Sequence, residues 1–282
     1  TIDFGTVASK KTATLKLSTE QFDKVFAGKV EATGTAADST LALDIQGSGD
    51  ISLDKIIKST DGTVETSKLE IKTSGTYSVK AANANASFTG DKLAAGKLDL
   101  IVGSLTVGSG KDFSIEAGKV GVGSSLTVSG SKALTVKGGA ELNLDGKGSV
   151  DSTKITLGDS GKSAGTLNVK GVDWSVKSLE LVSGGKALVS GGSTLTVTGD
   201  LVTADNALIQ VQNASTLDTT GASKLTLKSG STTKQTLDIA GGSTLKVNQK
   251  DFFKVKDDKT VELVTADSKG SGSVVDKQSI KT

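Results

Sequence analysis

The sequence predicts an all-β protein whose main part, residues 97–255, is a parallel β-solenoid with about 20–22 residues per coil. Three observations predict this fold. A short strand-like phrase recurs through this part, the recurrences lie about one coil apart, and the links are rich in glycine while the Asn-Gly and Asp-Gly pairs of tight hairpins are scarce. A less regular β-rich region with one short helix precedes the solenoid, and residues 256–282 follow it as a cap strand and a charged tail.

The recurring phrase is an apolar residue, a polar residue and a second apolar residue. This alternation has the period of two that turns one face of a strand toward a core. The phrases are S-L-T-V at 104–107 and 125–128, A-L-T-V at 133–136, E-L-N-L at 141–144, K-I-T-L at 154–157, T-L-N-V at 166–169, S-L-E-L at 178–181, T-L-T-V at 194–197, K-L-T-L at 224–227, T-L-D-I at 236–239 and T-L-K-V at 244–247.

The spacing of the phrases sets the size of the coil. The same interval of about 20–22 residues separates Leu105 from Leu126, Leu195 from Leu217, and Leu217 from Leu237. Phrases within one period are closer together, at roughly 8–13 residues, which indicates two or three short strands per coil. The alternative is an antiparallel β-sandwich, which also has strands about every 8–12 residues. The constant longer period and the scarcity of hairpin turns favour the solenoid.

The composition excludes several kinds of chemistry. The chain has no Cys, His, Pro or Met, and all 33 basic residues are lysine. It therefore lacks the imidazole and thiolate ligands of zinc and iron centres and the guanidinium that clamps phosphate. Because 31 acids are interspersed among the lysines, no basic stripe for nucleic acid is predicted, and we expect no nucleic-acid partner.

The composition also bears on location. The absence of cysteine is typical of proteins exported to an oxidising space. No apolar run approaches the roughly 18 residues that a membrane-spanning helix needs. We therefore expect an extracellular protein, secreted or at the bacterial cell surface, without a membrane-spanning segment.

Residues 1–96 contain one predicted helix, at residues 18–28. Ser18 and Gln21 have the spacing of a capping box, and Gly28 is placed to end the helix. Phe22 and Phe26 fall on one face. We expect this amphipathic helix either to cover the open end of the solenoid or to contact a neighbouring subunit.

The C-terminal segment repeats this concentration of aromatic residues. Phe252 and Phe253, followed by T-V-E-L-V at 260–264, predict a final hairpin that caps the solenoid. After Ala266 the chain is rich in Lys, Ser, Gly and Asp, and we expect this tail to be disordered or to pair with another chain. The predicted interaction residues are therefore Phe22, Phe26, Phe252 and Phe253.

The pattern G-G-x-x-L-x-V, present at 191–197 and 241–247, carries a family resemblance. Together with the absence of cysteine and the Ser, Thr and Gly bias, it resembles the passenger segments of bacterial autotransporters and related β-helical adhesins. The resemblance covers residues 97–255. It implies a non-enzymatic structural protein, a rigid stalk or adhesin whose partners are a cell-surface or host ligand. The alternative is a self-assembling surface-layer or filament subunit, which binds copies of itself.

A polysaccharide-active enzyme is the third function considered, because paired carboxylates support glycoside hydrolysis. On solenoid strands, however, alternate acids face solvent, and the middle of the chain offers only Phe113 and Trp174 to line a sugar groove. Trp174 shares its strand face with Val172 and Val176 and is predicted to be core. We therefore assign no catalytic residue; the available acids are Asp99, Asp112, Glu116, Glu141 and Asp145.

No cofactor is predicted. The calcium-binding nonapeptide of secreted β-rolls and the spaced acids of an EF-hand loop are both absent from the sequence. The remaining candidates for calcium binding are isolated acids near glycine, which would bind an ion at a contact between two molecules. They are Asp159, Asp200 and Asp205.

Overall fold

A computed structural model describes most of the chain. The described residues are 2–3, 5–25, 30–31, 38–57, 76–93, 98–108, 110–159, 164–204, 206–227, 237–247, 253–257, 260–263, 274–275 and 280–281.

The N-terminal region combines strands with one α-helix and one 3₁₀ helix. Its elements are β1 (Ile2–Asp3), β2 (Thr12–Ser18), α1 (Thr19–Val25), β3 (Val30–Glu31), β4 (Thr40–Gln46), β5 (Gly49–Ser52) and the 3₁₀ helix (Leu53–Lys55). Both β1 and β3 stand apart from the larger sheets as a parallel pair.

The remainder of the described chain is β-structure. Its strands are β6 (Thr76–Phe88), β7 (Lys92–Leu93), β8 (Leu98–Val107), β9 (Phe113–Ile115), β10 (Lys119–Val128), β11 (Leu134–Val136), β12 (Glu141–Leu144), β13 (Gly148–Asp151), β14 (Ile155–Leu157), β15 (Thr166–Lys170), β16 (Asp173–Val176), β17 (Leu179–Leu181), β18 (Lys186–Ser190), β19 (Thr194–Val197), β20 (Asp200–Thr203), β21 (Leu208–Val211), β22 (Thr216–Thr219), β23 (Lys224–Leu227), β24 (Leu237–Ile239), β25 (Thr244–Val247), β26 (Phe253–Asp257), β27 (Thr260–Leu263), β28 (Val274–Val275) and β29 (Ile280–Lys281).

Three stacks of parallel strands form the body of the protein. The first stack runs β2-β4-β6-β8-β10-β12-β15-β18-β21-β24-β29, the second β5-β6-β8-β10-β13-β16-β19-β22-β25, and the third β7-β9-β11-β14-β17-β20-β23-β28. The long strands β6, β8 and β10 pass through both the first and the second stack. The prediction of an all-β parallel solenoid is confirmed.

The stacks extend to the N-terminal side of the predicted boundary at residue 97. Both β4 and β6 lie in the first stack, and the first turn with all three strands begins at Thr76. The N-terminal region is therefore less regular than the rest, yet it is continuous with the same sheets.

The core lies inside the three stacks, where alternate residues of every strand point inward. Each inward residue stacks on its register partner in the next turn and forms a column. One column runs along the first stack through Leu15, Leu43, Val79, Leu100, Val120, Leu142, Leu167, Ala187, Ile209 and Leu237, and Ile280 of β29 is the next register partner. Apolar burial along such columns is the main source of stability in a solenoid.

The register corrects one of the spacings used to measure the coil. Leu105 stacks on Leu126 in the next turn, as the spacing predicts. Leu217, however, stacks on the more distant Leu245 and not on Leu237. Leu237 belongs to the first stack and Leu217 to the second, so the interval between them does not measure one turn.

A buried serine explains the repeated Ser-Thr-Leu that follows Gly-Gly or Asn-Ala at one corner of the solenoid. Ser193 and Ser215 occupy equivalent corners and are both almost fully buried. The Ser215 hydroxyl accepts hydrogen bonds from the backbone N–H groups of Gly192 at 3.1 Å and of Ser193 at 3.2 Å. The corner therefore satisfies the buried Ser193 N–H across turns, which a Leu or Val in place of Ser215 would leave unpaired.

The C-terminal part returns to the stacks after a hairpin. In the hairpin, β26 pairs with β27 in antiparallel fashion, with Phe253 opposite Leu263. The strands β28 and β29 then add to the third and first stacks of the same chain. Two short pieces of the charged tail are thus paired within the chain.

Candidate functional site

The N-terminal helix lies where the solenoid would otherwise expose a strand edge. It follows β2 directly and contacts β2, β4 and β5, the last of which is the first strand of the second stack. The Thr19 hydroxyl donates to the Ser48 carbonyl at 3.2 Å, next to β5. The turn that begins with β2 has no second-stack strand among the described residues. The helix α1 lies in the position that such a strand has on later turns.

The predicted capping box begins this helix. The Gln21 N–H donates to the Ser18 hydroxyl at 3.0 Å, and the Ser18 N–H donates to the Gln21 side-chain oxygen at 2.8 Å. The two reciprocal bonds satisfy two backbone donors at the helix start. The predicted end at Gly28 lies outside the described residues.

The four predicted interaction residues have different outcomes. Phe22 is 0% exposed, and the Lys55 ammonium lies 6.0 Å from the centre of its ring. The Phe22 ring is thus packed within its own chain. Phe26 and Phe252 lie outside the described residues, and Phe253 is described only as the first backbone position of β26. An interaction through the last three stays a prediction.

The terminal strands of the first two stacks are less well covered than the inner ones. Inner residues such as Leu195 and Leu217 are 0% exposed. Most of the partly buried apolar residues lie in the end strands β2 and β25 or in β24, next to the end of the first stack; the set is Ala13, Leu15, Ile239, Leu245 and Val247, with Val172 between β15 and β16. Among the described residues, β2 pairs only with β4 and β25 only with β22. Open edges of this kind accept a further strand, so they are the candidate contact sites of the chain.

The outer side of the second stack carries a regular polar row. From N- to C-terminal end it consists of Asp50, Asn85, Ser104, Ser125, Ser149, Ser175, Thr196, Asp218 and Lys246. At its start the Asn85 amide donates to Asp50 at 3.1 Å, and the Ser104 hydroxyl donates to Asn85 at 2.8 Å. Between Asp50 and Asp218 this row is uncharged, so the row itself offers hydroxyl and amide groups.

Polar side chains on the other two outer sides connect successive turns. On the first stack the Asn168 amide donates to Asn143 at 2.8 Å, and Lys119 lies 3.4 Å from Glu141. On the third stack Lys154 lies 2.6 Å from Glu180. These contacts join neighbouring strands at the surface, in addition to the backbone ladder.

Glu116 has a carboxylate that two side chains hold by hydrogen bonds. Lys137, on the next turn, donates a hydrogen bond to it, and the Ser114 hydroxyl donates a second at 3.1 Å. The hydrogen bond from Lys137 holds the pKa of Glu116 below its usual value of 4.5; partial burial acts in the opposite direction, and the charge of Lys137, the Ser114 bond and the charge of Lys92 lower the pKa further.

The acids considered for glycoside hydrolysis are divided between two sides of the solenoid. Asp99 and Glu141 lie on the first stack, each next to Lys119 in the register. Asp112, on the third-stack side, accepts a hydrogen bond from the Ala133 N–H at 3.0 Å, and Glu116 is bound by Lys137. Their contacts are to lysine and backbone groups of neighbouring turns.

The acids considered for calcium are also separated. Asp159 has one buried carboxylate oxygen that lacks a hydrogen-bond partner among the described residues. Asp200 stands opposite Lys224 in the third stack, and Asp205 lies outside the described residues. Within the described part of the chain, no three acidic side chains gather to hold a metal ion.

Trp174 lies inside the solenoid, as its position in the strand predicts. It is 1% exposed, and its register partners are Gly148 on one side and Leu195 on the other. Its indole N–H is buried and has no acceptor among the described groups. A methyl group at Gly148 would overlap the Ser124 carbonyl and lie 3.2 Å from the indole ring, so glycine is required beneath the tryptophan.

Two structural features, the buried serine corners and the open edge of β2, are not among the predictions made from the sequence. The buried serine corners have a recognisable signal, Ser-Thr-Leu after a tight turn at 193–195, 215–217 and 243–245. The open edge of β2 has a weaker signal, because T-A-T-L-K-L-S at 12–18 alternates like any inner strand. Only its place as the first strand of its stack distinguishes it.

The described helices include none with both the length and the apolar character needed to cross a lipid bilayer. In comparisons with known proteins, no family model, no curated protein and no solved structure matches this chain.

Proposed function

We propose that this protein is a non-enzymatic extracellular structural protein, a rigid β-solenoid stalk or adhesin of the bacterial cell surface. The observation that carries the proposal is the first stack itself, whose strands pair in parallel and in continuous register from Leu15 in β2 to Ile280 in β29. A body whose strands are stacked continuously from one end to the other is suited to hold its two ends at a fixed distance.

The contacts between turns support a stiff body. Each turn is joined to the next by parallel backbone ladders and by apolar columns in the core. The Asn143–Asn168 hydrogen bond and the Lys154–Glu180 ion pair add contacts at the surface. This strengthening uses no disulfide, since the chain has no cysteine.

The length of the particle tests the stalk. Eleven strands of the first stack, spaced about 4.8 Å apart, give a body roughly 48 Å long. Small-angle X-ray scattering of the purified chain should give an elongated particle whose longest dimension is at least this and does not change with salt. A compact or salt-dependent particle would contradict the proposal.

The extracellular location is proposed from the composition, above all the absence of cysteine. Antibodies against the purified chain should label intact cells of the producing bacterium, or the protein should appear in the medium. Labelling only after the cells are broken open would contradict this location. For the adhesin, the fluorescently labelled chain should bind host cells or their extracellular matrix saturably.

A second candidate function is a self-assembling subunit of a surface layer or filament. The specific observation in its favour is the partial burial of inward residues in the end strands, such as Leu15 in β2 and Leu245 in β25. Electron microscopy of the purified chain distinguishes the two. Single rods of constant length favour the stalk, and fibres, sheets or paired rods favour assembly.

A further inference from the structure

Among the described residues, the strand β2 pairs with β4 on one side only and leaves its other edge open at the N-terminal end of the first stack. The Lys11 carbonyl accepts a hydrogen bond from the Thr40 N–H at 3.0 Å, which fixes the direction in which the groups of β2 point. Because successive residues alternate along a strand, the backbone groups of Leu15 face β4, whereas those of Thr14 and Lys16 face the open edge. Thr12 and Ser18 also have backbone groups that face this edge.

The edge is self-complementary in the antiparallel direction. A two-fold axis through Leu15 places Leu15 opposite Leu15 of a second copy and Ala13 opposite Leu17, so that apolar inward residues meet each other. On the outer side the same axis places Thr14 opposite Lys16, and no two like charges stand opposite one another. The backbone groups of Thr12, Thr14 and Lys16 and the Ser18 carbonyl are available in this register, while the Ser18 N–H stays with Gln21 in the capping box.

Two copies could also stack head to tail, with β2 of one copy added to the last strand of the other. This arrangement is less favourable. Among the described residues the last strand of the first stack is β29, and the register that begins at Leu15 continues to Ile280. A second copy added there in register would place its Lys16 directly beside Lys281. Like charges directly opposite one another destabilise a pair of strands.

We propose that two copies of this chain join head to head, through antiparallel pairing of their β2 edges. The inference rests on the assembly function proposed above and identifies the contact, the paired β2 edges, which is called the joint below. The partly buried Ala13 and Leu15 would be covered by apolar residues of the second copy's β2. Because the contact uses the same edge on both copies, it closes after two and yields a dimer of about twice the single length.

The first experiment measures mass in solution by size-exclusion chromatography with light scattering. The wild-type chain should elute as a dimer. Thr14→Pro removes an edge-facing N–H and leaves the bonds to β4 intact, so it should weaken dimerisation by about tenfold or more. The matched control, Thr14→Val, keeps the N–H and the β-branched shape and should dimerise like the wild type.

A second experiment detects the register even if the proline variant is poorly folded. The chain has no cysteine, so Leu15→Cys introduces a single thiol. At the two-fold axis the two thiols would meet in a non-hydrogen-bonded antiparallel pair, whose Cα separation of about 4.5 Å suits a disulfide. Mild oxidation should therefore cross-link Leu15→Cys, whereas Thr14→Cys should remain largely uncross-linked.

The outcomes separate the joint from the proposed functions. A monomeric wild type overturns the joint and leaves the rod as a stalk. Oligomers that Thr14→Pro does not weaken also overturn the joint, while they support assembly through another surface. Efficient cross-linking of Thr14→Cys instead of Leu15→Cys overturns the pairing proposed here.

Discussion

The Ser215 hydroxyl accepts a hydrogen bond from the backbone N–H of Ser193, one turn earlier, at 3.2 Å. Ser215→Ala would leave this buried N–H without its acceptor, whereas the Gly192 N–H would keep its hydrogen bond to the Asn213 carbonyl at 3.0 Å. We expect the free energy of unfolding to fall by about 1–3 kcal/mol. Chemical denaturation at neutral pH measures the loss.

Ser243 provides the matched control for this change. It follows a Gly-Gly turn like Ser193, but its buried hydroxyl oxygen has no hydrogen-bond partner among the described residues. Ser243→Ala should therefore be nearly neutral or slightly stabilising. Equal losses at Ser215 and Ser243 would show that the cross-turn bond contributes nothing.

Close packing beneath the tryptophan can be tested at Gly148. Gly148→Ala forces a methyl group onto the Ser124 carbonyl and against Trp174, and we expect a loss of about 1–3 kcal/mol or more. Gly241→Ala is the control, because no atom lies within 4 Å of a methyl group there. Thermal unfolding should separate the two variants, and a Gly148 variant as stable as the Gly241 variant would contradict the packing.

Trp174 is the only tryptophan of the chain, so its fluorescence reports on the core. The native emission should lie at short wavelength and shift to the red on unfolding. Trp174→Ala should lose about 3–5 kcal/mol because it leaves a large cavity. Trp174→Phe retains an aromatic ring and removes the unpaired indole N–H, so its loss should be clearly smaller. An emission that iodide quenches in the native state would contradict the burial.

The Glu116–Lys137 contact predicts a dependence of stability on pH. Because the pKa of Glu116 is lowered in the folded protein, its contribution is present above the unfolded value of 4.5 and is lost as the pH falls through the folded pKa. Glu116→Gln should cost no more than about 1 kcal/mol at pH 7, since the pair is partly exposed. The difference from the wild type should vanish in acid, and one that persists at pH 2 would contradict an ionic origin.

The fold is largely predictable from the sequence, because a strand with one buried face leaves an alternating pattern. The same pattern predicts the burial of Trp174, and the spacing of Ser18 and Gln21 predicts the capping box. Register is harder to predict. Leu217 and Leu237 stand in similar phrases on different sides of the solenoid, and nothing in either phrase says to which stack it belongs.

The contact surfaces are less predictable than the fold. The position of Phe22 on an amphipathic face predicts an interaction residue; in the structure Phe22 itself is buried, and its helix contacts β2, β4 and β5 of the same chain. Whether an apolar helix face meets its own chain or another depends on tertiary structure that a single sequence does not display. The open edge of β2 is hidden from the sequence for the same reason.

The unequal lengths of the turns have a consequence for how such a protein changes over time. Val176 pairs with Val197 and Leu217 pairs with Leu245 in one and the same stack, although the second pair is further apart along the chain. Segments can therefore be gained or lost at the corners without disturbing the neighbouring strands. New surface segments can be acquired at a corner by insertion, while the scaffold that carries them is inherited unaltered.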